Sequence, residues 1–224
     1  MDLPTRVASA SIIGCMPSAS KLAYCRALAV TCAIAAFTLC LSAKDFVKPS
    51  AHSAKSYLMH DDHADEKVAI AADPYDSADK AKIFSINFRE HGFLPIFLII
   101  TNDGDQPISL ADIDVKLITG HHSKIAPASS DDIYRRLANP RANTNEIPLP
   151  IPQKKVKGAI NQKERDEIES SQFAARAVEP HTTQSGFLFF DVGDISLPGS
   201  HIDITGVNDA KGTELMYFEI QLKE

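Results

Sequence analysis

From Val68 to the C-terminus, apolar side chains recur at every second position in several short runs. In "IFSINF", Phe84, Ile86 and Phe88 share one face while Ser85 and Asn87 take the other. In "DIDVKLIT", Ile113, Val115 and Leu117 point one way and Asp114 and Lys116 the other. Near the end, Met216, Phe218, Ile220 and Leu222 alternate with Tyr217, Glu219, Gln221 and Lys223. A strand turns successive side chains to opposite faces, so this period predicts strands with one buried face. The runs "FLPIFLII" (residues 93–100) and "GFLFFDV" (186–192) do not alternate. They are too short to cross a bilayer, which takes about 20 residues of helix. They are expected to be central strands covered on both faces.

Turn chemistry punctuates these runs. In "NDGDQP", Asn102 and Asp103 tolerate unusual backbone angles, Gly104 accepts positive φ and Pro107 blocks further pairing. "NDAKG" lies between "HIDITGV" and "ELMYFEIQLKE" as a five-residue hairpin connection. About seven strands follow the first forty-odd residues, with no alternation of strand and helix to suggest a parallel sheet. The expected fold is mainly β: an antiparallel β-sandwich of about seven strands spanning residues 67–224, with a helical insertion at 121–180.

The insertion has its own chemistry. "SSDDIYRRLANP" predicts a short helix, capped by Ser129 or Ser130 and stopped before Pro140. "IPLPIPQ" must run extended, since proline fills every second position. "NQKERDEIESSQFAARAV" predicts a longer helix, with Asn161 and Glu164 forming an N-x-x-E capping box. Only Ile168, Phe173, Ala175 and Val178 in it are suited to burial, so the insertion is expected across one edge or end of the sandwich. Ahead of the strands, residues 44–66 are polar, end in "HDDHADE" and predict a loosely packed lead-in.

The first 43 residues form a separate object. Cys15, Cys25, Cys32 and Cys40 are the only cysteines, so nothing after Cys40 offers a thiol. Lys21 and Arg26 precede the uncharged stretch 27–43, which closes on small residues before "KDF". A basic region, an apolar region and a small residue at the cut describe a signal peptide for export to the periplasm or beyond. The alternative is an inner-membrane anchor formed by residues 27–43. Translation from Met16 instead of Met1 gives a shorter leader of ordinary length. Beyond Ala43 the chain carries 20 basic and 28 acidic residues, a net charge of −8. Such an acidic chain lacks the basic face that nucleic-acid phosphates require.

Candidate chemistry is sparse, and no cofactor is expected. Imidazole and carboxylate crowd together in "HDDHADE", where His60 and His63 flank Asp61 and Asp62, and His121 and His122 follow a predicted strand. These four histidines are the candidate metal ligands for Zn²⁺, although no H-E-x-x-H spacing is present. Asp103, Asp105, Asp191, Asp194 and Asp209 are candidate Ca²⁺ ligands if the turns gather at one end, though turns favour Asp anyway. There is no G-x-S-x-G elbow, and a loop entering a strand explains Ser185 and His181. The run Lys154–Lys157 reads as a solvated stretch. Ile133, Tyr134 and Phe173 are the interaction candidates, being apolar groups outside the expected sheets.

The pairing of "PIFLIITNDGDQPISL" with "VEPHTTQSGFLFFDV" resembles the immunoglobulin-like, telokin-like domains of exported bacterial proteins of unknown function. Asn102, Gly104, Pro107, Pro180, Gly186, Phe187 and Phe190 stand at the matching places, and the resemblance covers residues 67–120 and 178–224. It implies a fold and a compartment, and no catalytic residue. The expected function is that of a non-enzymatic interaction or envelope-associated module whose partner is an envelope or secreted protein. A metal-binding protein or metal-dependent hydrolase using the His/Asp cluster is the alternative. The leader makes a direct prediction: N-terminal sequencing of the purified protein starts at Lys44, whereas an intact Ala43–Lys44 bond makes 27–43 an anchor.

Overall fold

The computed structural model describes residues 46–138, 160–193, 197–215 and 217–222. The leader or anchor (1–43), "IPLPIPQ", Lys154–Lys157, Asp194 and Met216 lie outside them. The described strands are β1 (His60–His63), β2 (Val68–Pro74), β3 (Phe93–Asn102), β4 (Ile108–Ser109), β5 (Asp114–Ile118), β6 (Lys124–Ile125), β7 (Ala177–Val178), β8 (Thr182–Asp191), β9 (His201–Thr205) and β10 (Phe218–Gln221). The helices are α1 (Ala78–Ala81), α2 (Ser130–Ala138) and α3 (Gln162–Ser171), with 3-10 turns at Ala54–Ser56 and Phe88–His91. The chain is mainly β, and every strand pair is antiparallel.

The strands form one sheet in the order β1-β2-β3-β8, a second in the order β10-β9-β5-β6, and a short β4-β7 pair. All ten residues of β3 are buried, as its unbroken apolar run predicts. Leu94, Ile96, Leu98 and Ile100 face the second sheet and pack with Val115, Leu117, Ile202, Ile204, Phe218 and Ile220. Phe93, Phe97 and Ile99 face the opposite way, into a second core with Phe187, Phe189, Ile133 and Ile168. Pro95 is tolerated in this central strand because β2 has ended at Pro74, one pairing position earlier. Its carbonyl still accepts from the Tyr75 N–H at 2.9 Å.

Three expectations need correction. "IFSINF" is not a strand, although Phe84, Ile86 and Phe88 are buried as the alternation requires. Its amides find a carboxylate instead of a neighbouring strand: Ser85 N–H and Ile86 N–H donate to Glu167 of α3 at 2.9 and 3.3 Å. Secondly, residues 44–66 are not wholly a loose lead-in. Ala54 is fully buried, with its N–H donating to Thr101 Oγ1 at 2.9 Å, and β1 extends the first sheet as an edge strand.

The third correction concerns the insertion, which lies on a face of the first sheet and not merely at an edge or end. Ile133 of α2 and Ile168 of α3, both 0% exposed, complete the outer core beneath the first sheet. Both helix starts are capped as the sequence indicates. Ser129 Oγ accepts from Asp132 N–H, and Asn161 and Glu164 form the reciprocal box. The insertion also seals the outer edge of β8. Ala128 N–H donates to Phe189 O at 2.7 Å, and Phe173 N–H donates to Phe187 O at 3.0 Å. An unpaired edge is an invitation to aggregate, and here the chain covers its own.

The outer core is aromatic: the Phe84, Phe187 and Phe97 rings lie 4.8–4.9 Å apart in sequence of contact. Tyr75 packs edge-on against Phe187, and its hydroxyl pKa is pushed up to about 12, first by burial and then by the charge of Asp73. Close approach of the insertion depends on Gly186, where a Cβ would stand 2.4 Å from Phe173 Cα. Gly186→Ala is therefore expected to cost about 1–3 kcal/mol, the usual range for overpacking, measured by urea denaturation.

Candidate functional site

With helices over one face of the first sheet and the second sheet over the other, the described residues leave one broad sheet surface open: the outer side of β10-β9-β5. The register sets its contents. Asp203 pairs with Glu219 on one side and Lys116 on the other, while His201 pairs with Gln221. Ile202, Ile204, Phe218 and Ile220 occupy the intervening positions and are buried, so the polar set must face outwards. His201 Nε2 lies 3.4 Å from Asp203 Oδ1. Gln221 donates to Glu219 Oε1, and Lys116 Nζ turns to Asp114 Oδ2. One ligand atom each from His201, Asp203 and Glu219 come within 4.8 Å of one another. An imidazole nitrogen and two carboxylates so placed are a donor set for a divalent cation.

This patch borders a seam between the sheets. Asp61 of β1 accepts from the Glu219 N–H at 3.0 Å, closing the edge of β10 with a side chain. His63 Nε2 lies 3.4 Å from the same Asp61 Oδ2, its Nδ1 lies 2.8 Å from Glu66 Oε2, and its ring stacks on Phe218 at 4.0 Å. Burying the edges of both sheets together explains why a polar stretch such as "HDDH" is a strand.

The four candidate histidines are not brought together. His63 is fastened in the seam, and His60 faces away, its Nδ1 2.6 Å from the Tyr57 carbonyl. His121 and His122 lie exposed in the turn after β5, on the far side of β10 and β9 from β1. Strands about 4.8 Å apart put roughly 10–15 Å between the two pairs. His122 takes φ 61°, so its backbone serves the turn.

The candidate Ca²⁺ ligands are likewise dispersed. Asp103 and Asp191 lie at opposite ends of the first sheet, since Asn102 pairs with Thr182 and Phe93 with Asp191. Each described member has local work. Asp103 meets Lys55 at 3.1 Å, and Asp191 meets Arg136. The Lys67 ammonium, and His181 after it, hold the Asp105 carboxyl below its usual range. Asp209 is held down by the backbone N–H of Thr213, with Lys211 adding to it. His181 thus faces Asp105, at 3.3 Å, in the loop entering β8. Asn102 does more than turn the chain: it is 1% exposed, donates to Gln106 O and Val178 O, and accepts from Gly104 N–H.

Of the interaction candidates, Ile133 is taken out of contact with solvent, while Tyr134 and Phe173 stay part-exposed. Ile133 is fully buried, because α2 rests its one apolar face on the first sheet. Tyr134 donates to Glu169 Oε1 at 2.9 Å with the Arg165 guanidinium 4.8 Å over its ring. Phe173 is half-buried against the inter-sheet core. A cleft of about 360 Å³ beside α3 is lined by Phe46, Lys163, Asp166, Glu167 and Ser170. The Glu167 carboxylate is committed to Ser85 and Ile86.

Comparison with protein-family models, curated proteins and solved structures found no match for this chain. The case for function therefore rests on the open face. His201 and Asp203 were legible as polar positions of "HIDITGV", and Glu219 as one of "FEIQ"; what was missing was the register that joins them.

The seam yields a local test. Asp61→Ala removes the acceptor of the Glu219 amide, so hydrogen exchange there should quicken about tenfold or more relative to Ile202, measured by NMR.

Proposed function

We propose that the protein is a non-enzymatic, exported binding module built as an immunoglobulin-like sandwich, and that it docks its partner on the outer side of β10-β9-β5. The observation that carries this reading is that this is the broad sheet surface which the described chain leaves open. Both faces of the first sheet are covered, and the insertion seals β8. The connections β3 to β5 and β8 to β9 each leave a strand of one sheet for a strand of the other, and both pairs end as neighbours. Crossed connections of this kind belong to Greek-key sandwiches, which supports the architectural resemblance.

The chemistry of the face favours a partner that presents basic residues, in the envelope or secreted. Asp114, Asp203 and Glu219 outnumber Lys116, and the exported part of the chain carries a net charge of −8. Tyr217, 57% exposed, precedes β10 and supplies the amphipathic ring that interfaces favour. Among the described residues, no helix is long and apolar enough to cross a membrane. Attachment to a membrane in this reading depends on the leader alone.

The test is paired variants compared in native envelope extract. Asp114→Lys with Tyr217→Ala should weaken capture of the partner about tenfold, the loss of a modest hot spot. Asp79→Lys, on exposed α1 away from that face, should leave it unchanged. Equal capture by both proteins removes the open face from consideration.

A further inference from the structure

We infer that His201, Asp203 and Glu219 form a binding site for a single Zn²⁺ or a similar borderline cation, on strands rather than on a loop. This goes beyond the docking role and stands whether or not the face meets a protein partner.

Three observations lead there. The first is ligand type. One imidazole and two carboxylates suit zinc, which takes N and O donors at about 2.0–2.2 Å and keeps water in the remaining positions. Ca²⁺ prefers six to eight oxygens and is poorly served by a histidine nitrogen. The second is spacing. Tetrahedral ligands at those bond lengths stand roughly 3.3–3.5 Å apart. His201 Nε2 and Asp203 Oδ1 already stand at 3.4 Å. All three ligand atoms lie within 4.8 Å of one another, and rotating the long, exposed Glu219 side chain closes the set.

The third observation is a cost without a visible return. Asp203 and Glu219 are direct cross-strand partners, and like charges placed opposite one another destabilise a sheet. Among the described residues, no lysine or arginine forms an ion pair with either one. Lys116, on the neighbouring strand, is held by Asp114. A cation between the two carboxylates turns the repulsion into attraction. The backbone positions are fixed by the β9–β10 ladder, so binding has chiefly the Glu219 side chain to reorient.

None of the three residues belongs to the four histidines singled out from sequence, so the site can be separated from them by mutation. The experiment is calorimetric titration of zinc chloride into the full chain, purified without a histidine tag and treated with chelator. One equivalent should bind. His201→Ala and Glu219→Gln should each weaken binding at least about tenfold, while the His121→Ala/His122→Ala double variant retains it. Thermal unfolding gives an independent readout. Zinc should raise the midpoint of the wild type but not of Glu219→Gln. In chelator the Glu219→Gln protein should melt no lower than the wild type, because a repulsive pair is gone. Absence of binding heat at 100 μM zinc overturns the inference, as does binding that survives His201→Ala or is lost with His121 and His122.

Discussion

A strand with no face to give to water organises this molecule. β3 presents Leu94, Ile96, Leu98 and Ile100 on one side and Phe93, Phe97 and Ile99 on the other. A buried side chain of this size is worth about 1.5–3 kcal/mol over an exposed one. Neither side can be left bare, so two layers must be recruited. The second sheet supplies one. The other is assembled from α2, α3 and the segment containing Phe84, Ile86 and Phe88.

This demand explains why the insertion cannot be regarded as an appendage. Glu167, only 3% exposed, reaches from α3 to satisfy the backbone of Ser85 and Ile86. An irregular segment may be buried only where its amides are answered, and one carboxylate answers two here. The same insertion meets the outer edge of β8 at Phe187 and Phe189, with Gly186 leaving room for the Phe173 backbone. Hydrophobic cover, polar satisfaction and edge protection come from one stretch of chain. The described part of it leaves uncovered the polar side of the second sheet, where charge is set by strand register.

Elements with a clear apolar pattern were legible in the sequence: β5 and β10 by alternation, β3 and β8 as unbroken apolar runs, and both insertion helices with their caps. Burial was legible even where the element was not, since Phe84, Ile86 and Phe88 are inside without forming a strand. The reason is that alternation reports which side chains seek the core, whereas strand formation also needs a backbone partner. β1 was hidden because its cover lies in Asp61 and His63, polar residues whose partners are 158 positions or so away. The metal-type cluster was hidden by two residues of register. A turn placed at Asn208–Gly212 sets Asp203 opposite Tyr217. The actual turn is closed by pairing of Asn208 with Glu214, which sets Asp203 opposite Glu219.

The seam between β1 and β10 ties nearly the first described strand to the last. A ribosome delivers Asp61 long before Glu219. Until β10 emerges, Phe218 has no place in the core and the His63 ring has nothing to lie against. Completion of this sandwich thus waits on β10, and the earlier strands must stay soluble until it arrives.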